Sequence, residues 1–224
     1  YVQIQTKSSI DAKTIKVLNP KEVVFEGGRE LELDAVSEVP RYYVCNAYGV
    51  CGIYSAPGTA VKEAYDTSGI VTNDRGVTVW LKGNRVSRNQ IMAIKEESVT
   101  EQKNSLAVCL DNILRHAGIT RNTEYDLAQG KTATTILSEN MTGVQVLDLS
   151  GCTLDAVLYY VNQDIPVLAI LEDGEAVLVT GFNEFNVVIM EPSTGKLYKK
   201  GMNDATAWFA ENGNHFITYM RTEN

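Results

Sequence analysis

Four cysteines and two histidines are the side chains of this chain best suited to nucleophilic or metal chemistry at neutral pH. The chain has no Cys-x-x-Cys pair and no Cys/His ligand spacing, so neither a zinc site nor any other metal or cofactor is expected. Thiolate chemistry needs a cysteine within hydrogen-bond reach of an imidazole. Cys109 and His116 lie on one helical pattern, seven residues and roughly 10 Å apart along the axis, so they cannot share a hydrogen bond. His215 stands alone near a surface turn and reads as structural. Cys45 and Cys51 flank Asn46-Ala47-Tyr48-Gly49-Val50, and pairing them across a hairpin leaves Ala47-Tyr48-Gly49 as a three-residue loop. Such a loop wants a left-handed residue at its last position, which Gly49 adopts without a Cβ clash. A disulfide between Cys45 and Cys51 is therefore expected, and it tilts the compartment toward extracellular. The alternative is two reduced thiols on a half-buried strand pair. Cys109 and Cys152 are expected to be free.

The elements that position these residues belong to a chain of 224 residues, 44% hydrophobic and 21% charged, which excludes disorder and low-complexity repeats. Twenty basic and 28 acidic residues give a net charge of −8, and no Lys/Arg cluster interrupts it. A nucleic-acid or anionic-membrane surface is thus not expected. The longest apolar stretch, Ile165–Leu171, is too short to cross a bilayer. No signal peptide is in view, and a start at Tyr1 leaves that silent about the compartment. Alternation through Val23, Val24 and Phe25, a Gly27-Gly28 turn, then Leu31 and Leu33 predicts short strands. After the cysteine hairpin, a helix is predicted from Ala56-Pro57 to Gly69, then a hairpin Ile70–Thr72/Val77–Leu81 around Asn73–Gly76. The polar stretch Lys95–Lys103 reads as a linker, dividing a β-rich accessory module (1–97) from a second domain (98–224). In the second, Leu106, Cys109, Leu110, Ile113 and Leu114 recur at helical spacing up to Gly118. One short helix is expected within Asp126–Asn140, a strand over Val144–Leu149 and a helix from Thr153. Strands at Pro166–Leu171, Ala176–Phe182, Val187–Met190 and His215–Met220, with a helix over Asp204–Asn212, complete an α+β domain.

Three segments of that second domain follow one another in a telling order. They are Gln102…Ser105-Leu106-Ala107-Val108-Cys109-Leu110 with Gly118 thirteen residues after Ser105, Gly174-Glu175-Ala176-Val177-Leu178-Val179-Thr180-Gly181-Phe182, and Glu191-Pro192-Ser193-Thr194-Gly195. Asp164-Ile165-Pro166-Val167 enters a strand between the first two. Together they resemble a papain-like cysteine peptidase, and more narrowly the family that cleaves double-glycine leader peptides from bacteriocins, with its secreted relatives. The resemblance implies a papain-like fold from about residue 100 to the end. It places Ser105, Glu175 and Glu191 where the family carries Cys, His and Asp. Gln102 falls at the oxyanion-hole glutamine, with a shorter gap than the family's; its plain reading is an exposed polar residue before the helix.

That family's chemistry needs a thiolate, an imidazole that takes its proton, and a third group that fixes the ring. A serine hydroxyl ionises far less readily than a thiol, and a carboxylate is a weak base toward it at neutral pH. The longer Glu191 would not orient an imidazole as the family's Asp does. All three positions depart from the pattern, so the usual mechanism is absent. Glu175 and Glu191 are read as a remnant site against the plainer reading of strand-end carboxylates facing water. The three side chains are expected to line one cleft. The favoured function is a catalytically inactive, peptidase-like domain of a secreted or cell-surface bacterial protein, binding a peptide or protein in that remnant cleft. The alternative is an active hydrolase. It would be acid-active through Ser105-Glu175-Glu191, in the manner of the sedolisins, or thiol-dependent through Cys109, whose plain reading is a core residue. A third reading is a structural segment without a ligand.

Overall fold

The structure is a computed structural model that describes residues 15–19, 22–25, 40–83, 85–89, 91 and 104–222. Near the N-terminus β1 (Ile15–Asn19) and β2 (Glu22–Phe25) pair antiparallel. The expected Gly27-Gly28 turn, Leu31 and Leu33, and the Lys95–Lys103 linker with the 97/98 boundary lie outside the described residues.

A four-stranded antiparallel sheet follows, ordered β4-β3-β5-β6 and built from β3 (Tyr42–Cys45), β4 (Cys51–Tyr54), β5 (Ile70–Asn73) and β6 (Thr78–Leu81). Helix α1 (Pro57–Thr67) packs against it. Period-two alternation sets the buried face: Tyr42 and Val44 point in, while Cys45 points out. Cys45 stands opposite Cys51, and the two are disulfide-bonded. Between them Asn46 closes the loop, its Oδ1 accepting from the amides of Tyr48 and Val50, with Gly49 at φ +77°.

The larger unit is a six-stranded antiparallel sheet ordered β11-β10-β9-β8-β12-β7. Its strands are β7 (Val144–Asp148), β8 (Val167–Ile170), β9 (Ala176–Phe182), β10 (Asn186–Glu191), β11 (Lys196–Gly201) and β12 (His215–Arg221). Helices α2 (Ser105–His116) and α5 (Leu154–Asn162) pack on its central strands, and α6 (Met202–Glu211) packs on β10 and β11. The alternating strands, amphipathic helices and capping signals make this an α+β fold. The segment 126–140 differs from expectation, because it holds parts of two helices, α3 (Glu124–Ala128) and α4 (Ala133–Asn140). Gly130 at φ +80° stops the first, and Thr132 caps the second by accepting from the Thr135 amide.

One apolar core joins the two sheets. It runs from Val44, Val61 and Trp80 through Ile91 to Leu110, Val157 and Leu178. Buried polar contacts cross the same junction. The Trp80 indole donates to the Ala156 carbonyl (3.0 Å), Tyr160 Oη donates to Val79 O (3.1 Å), and Cys152 Sγ donates to Gly58 O (3.3 Å). Residues 85–89 and 91 then form a strap beside the far half of β9. Arg88 and Phe182 exchange backbone hydrogen bonds, and the Ile91 amide donates to Thr180 O (2.8 Å). The last β8–β9 pair is Val167 with Val179, so the strap takes the place that β8 leaves beyond it. Arg88 is also paired with Asp164 (2.7 Å), and Ile91 is fully buried. Among the described residues, no helix is long and apolar enough to cross a membrane.

Candidate functional site

Helix α2 is capped by Asn104, whose side-chain oxygen accepts from the amides of Leu106 and Ala107. The cap fixes where the helix starts and so presents Ser105, its first residue, at the N-terminal end. Burial of Leu110, Ile113 and Leu114 lays the helix on the sheet beside β8 and β9. Ser105 Oγ there accepts a hydrogen bond from the backbone amide of Ala176, at 2.9 Å. Ala176 is the first residue of β9, so a helix and a strand 71 residues apart in sequence are joined through the hydroxyl.

Glu175 precedes that strand. The turn from β8 closes with Leu171 N–H donating to Glu175 O (2.7 Å), Glu175 N–H donating to Asp173 Oδ1 (3.0 Å) and Gly174 at φ +85°. This turn leaves Glu175 exposed. Glu191 ends β10, the antiparallel neighbour of β9, so the end of β10 and the start of β9 share one end of the sheet. Its Oε1 accepts from the Ser193 hydroxyl (3.0 Å) and amide (3.4 Å), capping the turn into β11. Both carboxylates bear on the Cys109 thiol, whose pKa is pushed well up, first by burial and then by Glu191 and Glu175. Ser105, Glu175 and Glu191 are thus brought to the same end of the sheet. Within it, Ser105 binds a backbone amide and Glu191 binds its own turn.

Among the described residues, the other candidates make no hydrogen bond with these three. Cys109 is fully buried in the core, which removes it as an accessible nucleophile. Cys152 is buried and unpaired, with its pKa raised to about 12 chiefly by burial. His116 ends α2, roughly 16 Å along the axis from Ser105. Its Nε2 lies 2.6 Å from Asp164 O, while Nδ1 is buried without a partner. His215 is exposed at the start of β12, opposite Ile170, which in turn pairs with Ala176, so it stands at the Ser105 end of the sheet, two strands from the start of β9. Gln102 lies outside the described residues. Among the described residues, no three His, Cys, Asp or Glu side chains are grouped to hold a metal ion. Sequence reasoning did not find the strap, because its bonds to Thr180 and Phe182 bridge about ninety residues and carry no local signal.

A helix presenting its first residue to the start of a central strand, over an antiparallel sheet, is the arrangement of the C39-like, papain-like peptidase fold, and this chain has that fold. Among solved structures it is similar to a chain from Bacillus anthracis assigned as a C39-like peptidase, with a TM-score of 0.51 and 13% sequence identity over 61% of this chain and 100% of that one. No protein-family model and no curated protein sequence matches it.

Proposed function

We propose that this chain is a peptidase-fold module without peptidase chemistry, which binds a peptide or another protein at the Ser105 end of the sheet. The observation that carries the reading is the bond from the Ala176 amide to Ser105 Oγ. A nucleophilic hydroxyl needs a base to take its proton as it attacks. Here the hydroxyl is used as an acceptor that holds β9 to α2. His116 lies at the far end of α2, and His215, although it starts β12 at the Ser105 end, stands two strands from Ala176 with Ile170 between them and makes no hydrogen bond to Ser105. The thiol one turn further along the helix is sealed in the core. Two acidic side chains at the same end favour a basic or amine-bearing partner. The Cys45–Cys51 bond supports a place in the oxidising exterior, in a secreted or cell-surface bacterial protein.

The arrival of both carboxylates at the Ser105 end favours one competing reading, a hydrolase that works in acid. A peptide-library assay separates the two. The unmodified chain is expected to cleave nothing at pH 7 or at pH 4, and the triple variant Ser105→Cys, Glu175→His, Glu191→Asp is expected to gain cleavage at pH 7. Cleavage at pH 4 that disappears in Ser105→Ala would establish the acid hydrolase instead. Cleavage at pH 7 by the unmodified chain would end the non-enzyme reading.

A further inference from the structure

Away from the Ser105 end, α1, the end of β6 and α5 enclose a niche of about 170 Å³. Three aromatic rings shape it. Tyr65 and Tyr159 each stand 6.2 Å from Trp80, tilted by 56° and 52°. Its walls are fixed before any ligand arrives. The Trp80 indole is held by Ala156 O, the Val86 amide by Asn162 Oδ1, and Arg85 by both the carboxylate and the carbonyl of Asp155. A niche with its side chains already ordered loses little conformational freedom on binding.

The charges around the niche choose among ligands. Aromatic faces on their own favour cations. Here the Lys82 ammonium already lies 5.0 Å from the centre of the Tyr65 ring, and Arg85 already neutralises Asp155. Lys82 makes no ion pair among the described residues, so it is the uncompensated charge of the niche. Asn162, another lining residue, has its Oδ1 engaged by Val86 and keeps its amide N–H groups as donors. A ligand cation would meet like charge, whereas an anion would meet an ammonium and a donor beside apolar walls. We propose that this niche binds a carboxylate attached to an aromatic or other bulky apolar group. Such chemistry is offered both by free arylalkanoic acids and by the C-terminal residue of a peptide. This goes beyond the binding proposed at the Ser105 end and does not depend on it.

The test uses the full chain. In a Trp208→Phe background Trp80 is the sole indole, since the chain has two tryptophans. Titration with N-acetylphenylalanine is expected to change Trp80 emission saturably, and N-acetylphenylalanine amide is expected to bind at least about tenfold more weakly, the share of a charge-assisted hydrogen bond. Lys82→Met, which keeps an apolar stem, should remove that acid-over-amide preference without changing the melting temperature of the free protein. The peptide Gly-Gly-Gly-Phe binding more tightly than N-acetylphenylalanine would identify a peptide C-terminus as the source, and the reverse order a free acid. No saturable change up to about 10 mM, a range that still detects a Kd near 1 mM, would overturn the proposal. So would equal binding of acid and amide, or a preference unaffected by Lys82→Met. Isothermal titration of the unmodified chain reads the same acid-to-amide ratio if the Trp208 variant folds poorly.

Discussion

Replacing Ser105 by alanine removes the acceptor of the Ala176 amide, in a residue that is 1% exposed. An orphaned buried N–H costs about 1–3 kcal/mol, so Ser105→Ala should lower the unfolding free energy from urea denaturation by that amount without altering any cleavage rate. Glu175→Ala should leave stability within about 0.5 kcal/mol, because the side chain is exposed. The two buried thiols give a different readout. Neither Cys109 nor Cys152 should react with a thiol reagent in the native protein at pH 8, and two thiols should react after denaturation without reductant. Cys152 has its folded pKa raised from 9.0 to about 12, so the native state keeps a proton that the unfolded chain loses. Stability from this group is present below pH 9 and falls as pH rises from 9 to 12, by at most about 1.4 kcal/mol per unit. Cys152→Ser, whose hydroxyl does not titrate there, should flatten that part of the pH profile. At this scale positions 105, 175 and 191 were singled out by the resemblance to the peptidase family, and the fold brings them to one end of the sheet. The sequence did not reveal the partners of Ser105 and Glu191, a distant backbone amide and a turn, which spacing does not encode.

Gly181 shows what holds the strap. A Cβ at that position would lie 2.6 Å from the carbonyl oxygens of both Arg88 and Asn89, closer than side-chain atoms tolerate. Gly181→Ala should therefore cost about 1–3 kcal/mol by forcing the strap off β9, and should speed hydrogen exchange at the Arg88 and Ile91 amides. Elements with a strong local period were legible before any coordinates. β9 spans Ala176–Phe182 as read from its apolar run, and Gly49 occupies the loop position its backbone freedom suggested. The division of 126–140 into α3 and α4 was not legible, because a weak apolar pattern hid the stop at Gly130 and the cap at Thr132. The niche was equally hidden. Tyr65, Trp80 and Tyr159 come from three separate elements, and only their packing makes them neighbours.

Across the whole molecule, the shared core makes the two sheets interdependent. A fragment of residues 98–224 would lack Trp80, Ile91 and the α1 backbone that receives the Cys152 thiol. It should show a weak near-ultraviolet signal and a broad, shallow denaturant transition, whereas the full chain should unfold in one step by both tryptophan fluorescence and circular dichroism. Two cooperative steps in the full chain would separate the sheets energetically. The hydroxyl that bridges α2 and β9 also makes the order of substitutions matter. Sulfur is a poor hydrogen-bond acceptor, so Ser105→Cys introduced first weakens the scaffold before an imidazole has been placed at position 175 to use the new thiol. Glu175→His introduced first changes an exposed side chain and leaves the bridge intact. A stepwise mutational path toward thiol catalysis is therefore open from the strand side and uphill from the helix side, a ratchet set by one bond.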